Sequence, residues 1–98
     1  MTSFEEKVCA AIGKIPRGKV ATYAAIARAI GRPRAARAVG NALNKNLFKS
    51  VPCHRVVLST GRLGGYARGT AVKAKRLRGE GVLIRNGRIN LNKFGFKV

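Results

Sequence analysis

Cys53 and His54 are adjacent, and His54 is the only histidine among the 98 residues. A thiolate, not a thiol, attacks an electrophilic carbon, and an unperturbed cysteine with a pKa of about 8.5 is only slightly ionised at neutral pH. A neighbouring base and a positive environment raise the ionised fraction. The run "VPCHRVV" offers both, because Arg55 follows His54 in a chain with 21 Lys and Arg, three acids and a formal net charge of +18. Pro52 fixes one dihedral on the approach to the cysteine. The acids are Glu5, Glu6 and Glu80. The first two suit the first turn of a helix, where carboxylates complement the dipole. Glu80 stands alone in the rest of the chain. It reads either as an ion-pair partner for a nearby arginine or as the group that orients His54 in a Cys53–His54–Glu80 relay. Sequence spacing leaves both readings open.

Other uses of these residues have less support. Two cysteines and one histidine fall short of the four ligands of a tetrahedral zinc site, so no metal is expected. A Cys9–Cys53 disulfide needs an oxidising compartment, and nothing else in the sequence indicates secretion. Cys9 reads as a small buried residue. No cofactor motif is present.

The basic residues are spread along the chain, so the folded body itself must be cationic and attract polyanions. A phosphate-neutralising ribosomal or chromatin-type protein would share this property. No apolar run reaches about 18 residues, so no membrane span is expected. The N-terminal "MTSFEEKVCA" carries acids where a signal peptide carries lysines. The expected location is the cytoplasm: at the nucleoid in a prokaryote, or in the nucleus of a eukaryote.

Several elements must position these groups. "TSFEEKVCAAIG" reads as a helix, with Ser3 and Glu6 at capping-box spacing and Phe4, Val8 and Ile12 on one face. "IPRGKVA" reads as a turn and a short extended piece. Thr22 then caps "YAAIARAI", which Gly31 ends. Pro33 is expected to start a third helix, "PRAARAVGNALNK". Its polar face carries Arg34, Arg37, Asn41 and Asn44, and its apolar stripe carries Val39 and Leu43. Together the two helices resemble a helix-turn-helix. "RVVLSTGRLGGYARG" reads as a strand followed by glycine-rich turns, "TAVKAKRLRGEG" as a basic helix, and "VLIRNGRINL" as a hairpin about Asn86-Gly87. The expected fold is α+β and mostly helical: one winged-helix-like domain over residues 1–98, with a helix-turn-helix and short β-hairpins.

These residues resemble a known family. "VPCHRVV", with "IPRGKVATYAAIARAIGRPRAARAVGNALNKN" before it and "GYARG" and "GEG" after it, is similar to the C-terminal domain of the O6-alkylguanine-DNA alkyltransferases. The resemblance implies irreversible transfer of an alkyl group from O6-alkylguanine in double-stranded DNA to Cys53, after the base is flipped. His54 would be the base, acting through a water, with Glu80 behind it. Arg37 would fill the gap left by the flipped base, and Tyr23 would press on the phosphate. Asn46 would form a hinge beside the active-site loop, and Tyr66 would donate a hydrogen bond to the guanine. Arg34, Asn41 and Arg55 are expected on the DNA-binding surface. The resemblance also implies no cofactor, and a monomer able to bind cooperatively along DNA. The family's usual N-terminal domain is not expected.

The chain departs from the family pattern in places. Asn41 replaces a glycine, Arg68 replaces another, Thr70 replaces a larger apolar residue, and the segment before Cys53 is one residue short. The alternative function is that of an alkyltransferase-like protein, which binds the lesion and flags it for another repair pathway without taking the group. A plain winged-helix regulator is the third reading.

Overall fold

The computed structural model describes residues 2–45 and 50–98. Helix α1 spans Ser3–Ile12 and starts with a capping box one residue earlier than expected. The Thr2 hydroxyl accepts from the Glu5 amide at 3.1 Å, and the Glu5 carboxylate accepts from the Thr2 amide at 2.8 Å. Thr2/Glu5 and Ser3/Glu6 have the same spacing, so local sequence cannot choose between them. Tertiary structure does: Glu5 is buried and Lys45 Nζ reaches its carboxylate at 3.4 Å.

Strand β1, Ala21–Thr22, leads directly into helix α2, Tyr23–Ala29. Thr22 caps this helix, accepting from the Ala25 amide at 3.0 Å. Gly31, with φ of +77°, ends it. The Arg32 amide returns to Ala27 O at 2.9 Å and the Gly31 amide to Arg28 O at 3.0 Å. These two bonds satisfy the last carbonyls in a Schellman arrangement, for which a left-handed glycine is suited.

Helix α3 spans Ala36–Asn44 and begins later than Pro33. Residues 32–35 instead make a turn closed by the Ala35 amide on Arg32 O at 2.9 Å. Pro33 takes the second position of that turn, where its fixed φ also fits. Arg34 therefore lies in the connection and not on the helix face.

A single 3₁₀ turn, Cys53–Arg55, runs into strand β2, Val56–Val57. The two strands pair in parallel, Ala21 with Val56 and Thr22 with Val57. Successive side chains of a strand face opposite ways. Val56 accordingly joins one buried cluster with Val8, Ile12, Ile26 and Val39. Val57 joins a second with Val20, Leu77, Val82 and Phe94. The turn that carries Cys53 is thus anchored by a strand buried on both faces.

Helix α4 is Thr70–Gly79. The hairpin expected beyond it is reduced to its turn. Asn86 and Gly87 have φ of 54° and 74°, and Arg85 and Arg88 exchange two backbone hydrogen bonds at 2.9 Å. Asn90 then leaves the extended path to cap helix α5, Leu91–Phe94, its side chain accepting from the Asn92 and Lys93 amides. The architecture is mostly helical and winged-helix-like. Among the described residues there are five α-helices and one two-stranded sheet. No described helix is long and apolar enough to cross a membrane.

Gly61 joins the segment after β2 to the C-terminal part. Its φ is +87°, its carbonyl accepts from the Ile89 amide at 2.8 Å, and an added Cβ would lie 2.6 Å from Ile89 O. Gly61→Ala is expected to destabilise the chain by about 2–3 kcal/mol, from strain and backbone collision together. Urea unfolding checks this.

Candidate active site

The Cys53–Arg55 turn places His54 and Arg55 against the end of α4, where Glu80 follows the helix. His54 Nε2 lies 2.8 Å from Glu80 Oε2. Arg55 grips the same carboxylate twice, Nε on Oε1 at 2.9 Å and Nη2 on Oε2 at 2.8 Å. Its Nη1 donates to Ile15 O at 2.8 Å. Glu80 therefore pairs with an arginine and contacts the histidine at the same time. Arg55, expected on the DNA-binding surface, instead has its donors directed inward, and its side chain is only 16% exposed.

Electrostatics follow from this packing. Burial raises the Glu80 carboxyl, but the hydrogen bonds from Arg55 and His54, with their charges, outweigh it and hold the group at about 2. It is a carboxylate at neutral pH. Burial lowers the pKa of His54, and the positive charges of Arg55 and Arg76 lower it further, against the opposing pull of Glu80. The imidazole is therefore neutral at neutral pH. A carboxylate cannot donate, so the Nε2 proton belongs in this hydrogen bond and Nδ1 keeps its lone pair. Nδ1 is the basic atom.

Cys53 departs from the simple charge argument. Burial pushes the thiol up to about 11, with Cys9 adding to the rise, while a backbone hydrogen bond and Lys73 oppose it. Loss of hydration outweighs the cationic surroundings. The thiol is therefore protonated at neutral pH, and attack by this sulfur calls for a neighbouring base.

Lys73 borders the site, and the sequence reading passed over it. It is fully buried. Its ammonium donates to Leu63 O, to Gly65 O at 3.1 Å and to the Tyr23 hydroxyl at 3.5 Å. Tyr23 in turn donates to Gly65 O at 3.3 Å. Burial lowers the Lys73 pKa to about 8, against the pull of Cys53. The lysine and Tyr23 together tie α2, α4 and the glycine-rich loop into one wall. A signal existed in the spacing, since Lys73 lies four residues before buried Leu77 and so on the same helix face. Lys73→Met would leave Leu63 O without its donor and Gly65 O with Tyr23 alone. It is expected to cost about 2 kcal/mol and to speed amide exchange in residues 63–66.

Tyr66 lies one residue past that wall. Its hydroxyl accepts from Arg76 Nη1 at 3.0 Å, and the guanidinium sits 5.9 Å from the ring centroid. The hydroxyl proton remains available to a ligand. Tyr23, expected to face a phosphate, has its hydroxyl engaged with protein in this structure. Beside it, α3 presents Arg37, Asn41 and Asn44 to a hollow of about 370 Å³, which Tyr23, Leu58 and Gly65 also line. Arg34, in the turn before α3, is exposed but does not line the hollow. Arg68 is exposed in the loop after Tyr66. Asn46 lies outside the described residues. Among those described, no three His, Cys, Asp or Glu side chains gather where they could hold a metal.

Residues 3–82 match the model of the 6-O-methylguanine DNA methyltransferase, DNA binding domain family. Over 81 residues the chain is 47% identical to a methylated-DNA–protein-cysteine methyltransferase of Methanosarcina acetivorans, covering 82% of this chain and 52% of the relative. Over 86 residues it is 45% identical to a bifunctional methyltransferase/endonuclease of Picrophilus torridus, covering 87% of this chain and 29% of the relative. The chain thus spans about half or less of these relatives' length. Among solved structures it is similar to S. pombe Atl1 bound to damaged DNA containing O6-carboxymethylguanine, with a TM-score of 0.87, 38% identity, and coverage of 100% of this chain and 98% of that one. It is also similar to Mycobacterium tuberculosis OGT in complex with DNA, with a TM-score of 0.74, 42% identity, and coverage of 82% and 50%.

Proposed function

Because the chain belongs to the 6-O-methylguanine DNA methyltransferase family, whose DNA-binding-domain model it matches over residues 3–82, we propose that it binds duplex DNA at O6-alkylguanine and takes the alkyl group onto Cys53. The observation that carries this reading is the placement of the neutral His54, held by Glu80, immediately after the cysteine in a single 3₁₀ turn. A base inside a duplex cannot bring its substituted oxygen to a half-buried thiol, so the nucleotide must first be extruded. The polar face of α3 faces the duplex, and Arg37 takes the space left in the stack. The exposed basic surface supplies sequence-independent affinity for phosphate.

The chemistry then balances within the site. His54 Nδ1 takes the thiol proton through a water, and Glu80 stabilises the imidazolium that forms. The sulfur lone pair bonds to the alkyl carbon as the carbon–O6 bond breaks, and its electron pair stays on the guanine. Tyr66 gives its hydroxyl proton to the departing guanine anion and regains one from solvent, while the imidazolium releases the former thiol proton to solvent, so the base leaves protonated and His54 and Tyr66 return to their starting states. A thioether has no ready route back to a thiol, so each molecule acts once.

Restoration of guanine tests the proposal from the DNA side. A duplex with one O6-methylguanine is incubated with excess protein, and its nucleosides are analysed. Stoichiometric return of guanine is expected. Tight binding that leaves O6-methylguanine intact would instead favour the lesion-flagging reading, which the near-complete coverage of the Atl1 chain keeps in view. Arg37→Ala is expected to cost about 1–3 kcal/mol of the preference for lesion over undamaged duplex. Equal loss on both duplexes would reduce Arg37 to a phosphate contact.

A further inference from the structure

The C-terminal part of the fold carries a surface that alkyl transfer leaves unused. Leu83 is 50% exposed, although both its neighbours point into the second core cluster. Val82 is buried and anchored by its amide on Leu77 O at 3.0 Å, and Ile84 packs beside it. Leu83 therefore points outward between two neighbours that pack inward. Two hollows of about 240 and 250 Å³ flank it, and both are lined by Leu83 and Arg85. Arg78 closes one, and Arg88 and Lys93 close the other. All four cations are exposed.

A leucine exposed between two hollows, with cations around both, offers one ligand apolar and charged contacts together. The rim restricts the occupant. Among the described residues no carboxylate pairs with any of these four cations; the recorded ion pairs take Glu5 to Lys45 and Glu80 to His54 and Arg55. A second copy of this chain, with its net charge of +18, would be repelled. Phosphates alone would satisfy the arginines but leave the leucine and both hollows exposed. We propose that this surface docks an acidic segment of a partner protein, placing apolar side chains in the two hollows and carboxylates on Arg78, Arg85, Arg88 and Lys93. Clustered arginines reading acidic motifs are a recurring mode of peptide recognition. None of these residues lines the hollow beside α3.

The test uses a short fluorescent peptide in which glutamates flank one leucine and one phenylalanine. Its controls are the same peptide with both apolar residues changed to alanine, and an undamaged duplex. Anisotropy should show that the full chain binds the apolar-containing peptide at least about tenfold more tightly than its alanine control, a difference of about 1.4 kcal/mol. Saturating duplex should leave that affinity unchanged. Leu83→Ser, at an exposed position, should weaken the peptide roughly tenfold and leave duplex affinity as it was. Arg85→Ala with Arg88→Ala should also weaken the peptide and flatten its salt dependence. Equal binding of the alanine control would reduce the surface to bulk charge. Displacement of the peptide by duplex, or equal loss of duplex affinity in Leu83→Ser, would reassign it to DNA. Either result overturns the proposal.

Discussion

Cys53→Ala is expected to abolish alkyl transfer completely while binding a lesion duplex as the native chain does. The proposed role makes the sulfur a reactant consumed in the reaction, so its removal leaves nothing to hold the group. Cys9 offers no substitute, because it is a residue of α1 packed against the first core cluster. Cys53 does not line the hollow beside α3, where Arg37, Asn41 and Asn44 meet the duplex, so affinity should survive. The cysteine also packs partly against the first core cluster. Truncation to alanine should therefore cost about 1 kcal/mol, within what a folded domain tolerates. Anisotropy on lesion duplex and a guanine-release assay measure the two halves. Loss of cooperative unfolding in the variant would make Cys53 a structural residue.

The second large effect is expected at Glu80. Glu80→Gln weakens the hold on both His54 and Arg55, and transfer should slow by about 10²-fold or more as the base loses its orienting carboxylate. Three readouts separate this role from packing. In the native chain the depressed His54 pKa keeps the base neutral through pH 7, so the rate should be flat there and fall only below the ordinary histidine value of 6.5. Removing Glu80 removes the groups' hydrogen bond and charge, both of which raise His54, so the acid limb should move to lower pH as the plateau falls. Stability gives the third readout. Glu80 is held at about 2 instead of the ordinary 4.5. Its folded-state pKa is the lower one, so its stabilisation is complete above about pH 4.5 and is lost as pH falls towards 2. The loss is on the order of 3 kcal/mol in the native chain and absent in Glu80→Gln. A rate profile unchanged by the substitution would remove Glu80 from the chemistry.

The elements that position the site were legible where one local device decides the backbone. Thr22 as a cap, Gly31 as a stop and Asn86-Gly87 as a turn all stand where the sequence placed them. Legibility failed where two devices compete at similar cost. Thr2 and Ser3 both begin a capping box, Pro33 fits a turn as well as a helix start, and Asn90 caps a helix where a strand was expected. Each choice is made by distant packing. At the site, the partnership of His54 and Glu80 could be suspected because Glu80 is the one acid beyond the first helix. Lys73 could not be told by type from the solvent-facing lysines and arginines around it. Charge counting also misjudged Cys53 and Arg55. The first is governed by burial, which opposes ionisation more strongly than neighbouring cations favour it. The second turns inward because an arginine can satisfy a buried carboxylate and a backbone carbonyl at once.

The mass of the peptide that contains Cys53 tests the central claim most directly. The chain is incubated with a duplex carrying one O6-methylguanine, digested, and compared with a sample exposed to undamaged duplex. A gain of one methyl group on Cys53, in amounts that match the lesion supplied and absent from the control, is the predicted result. An unmodified Cys53 peptide recovered from protein that had bound the lesion duplex would contradict the account.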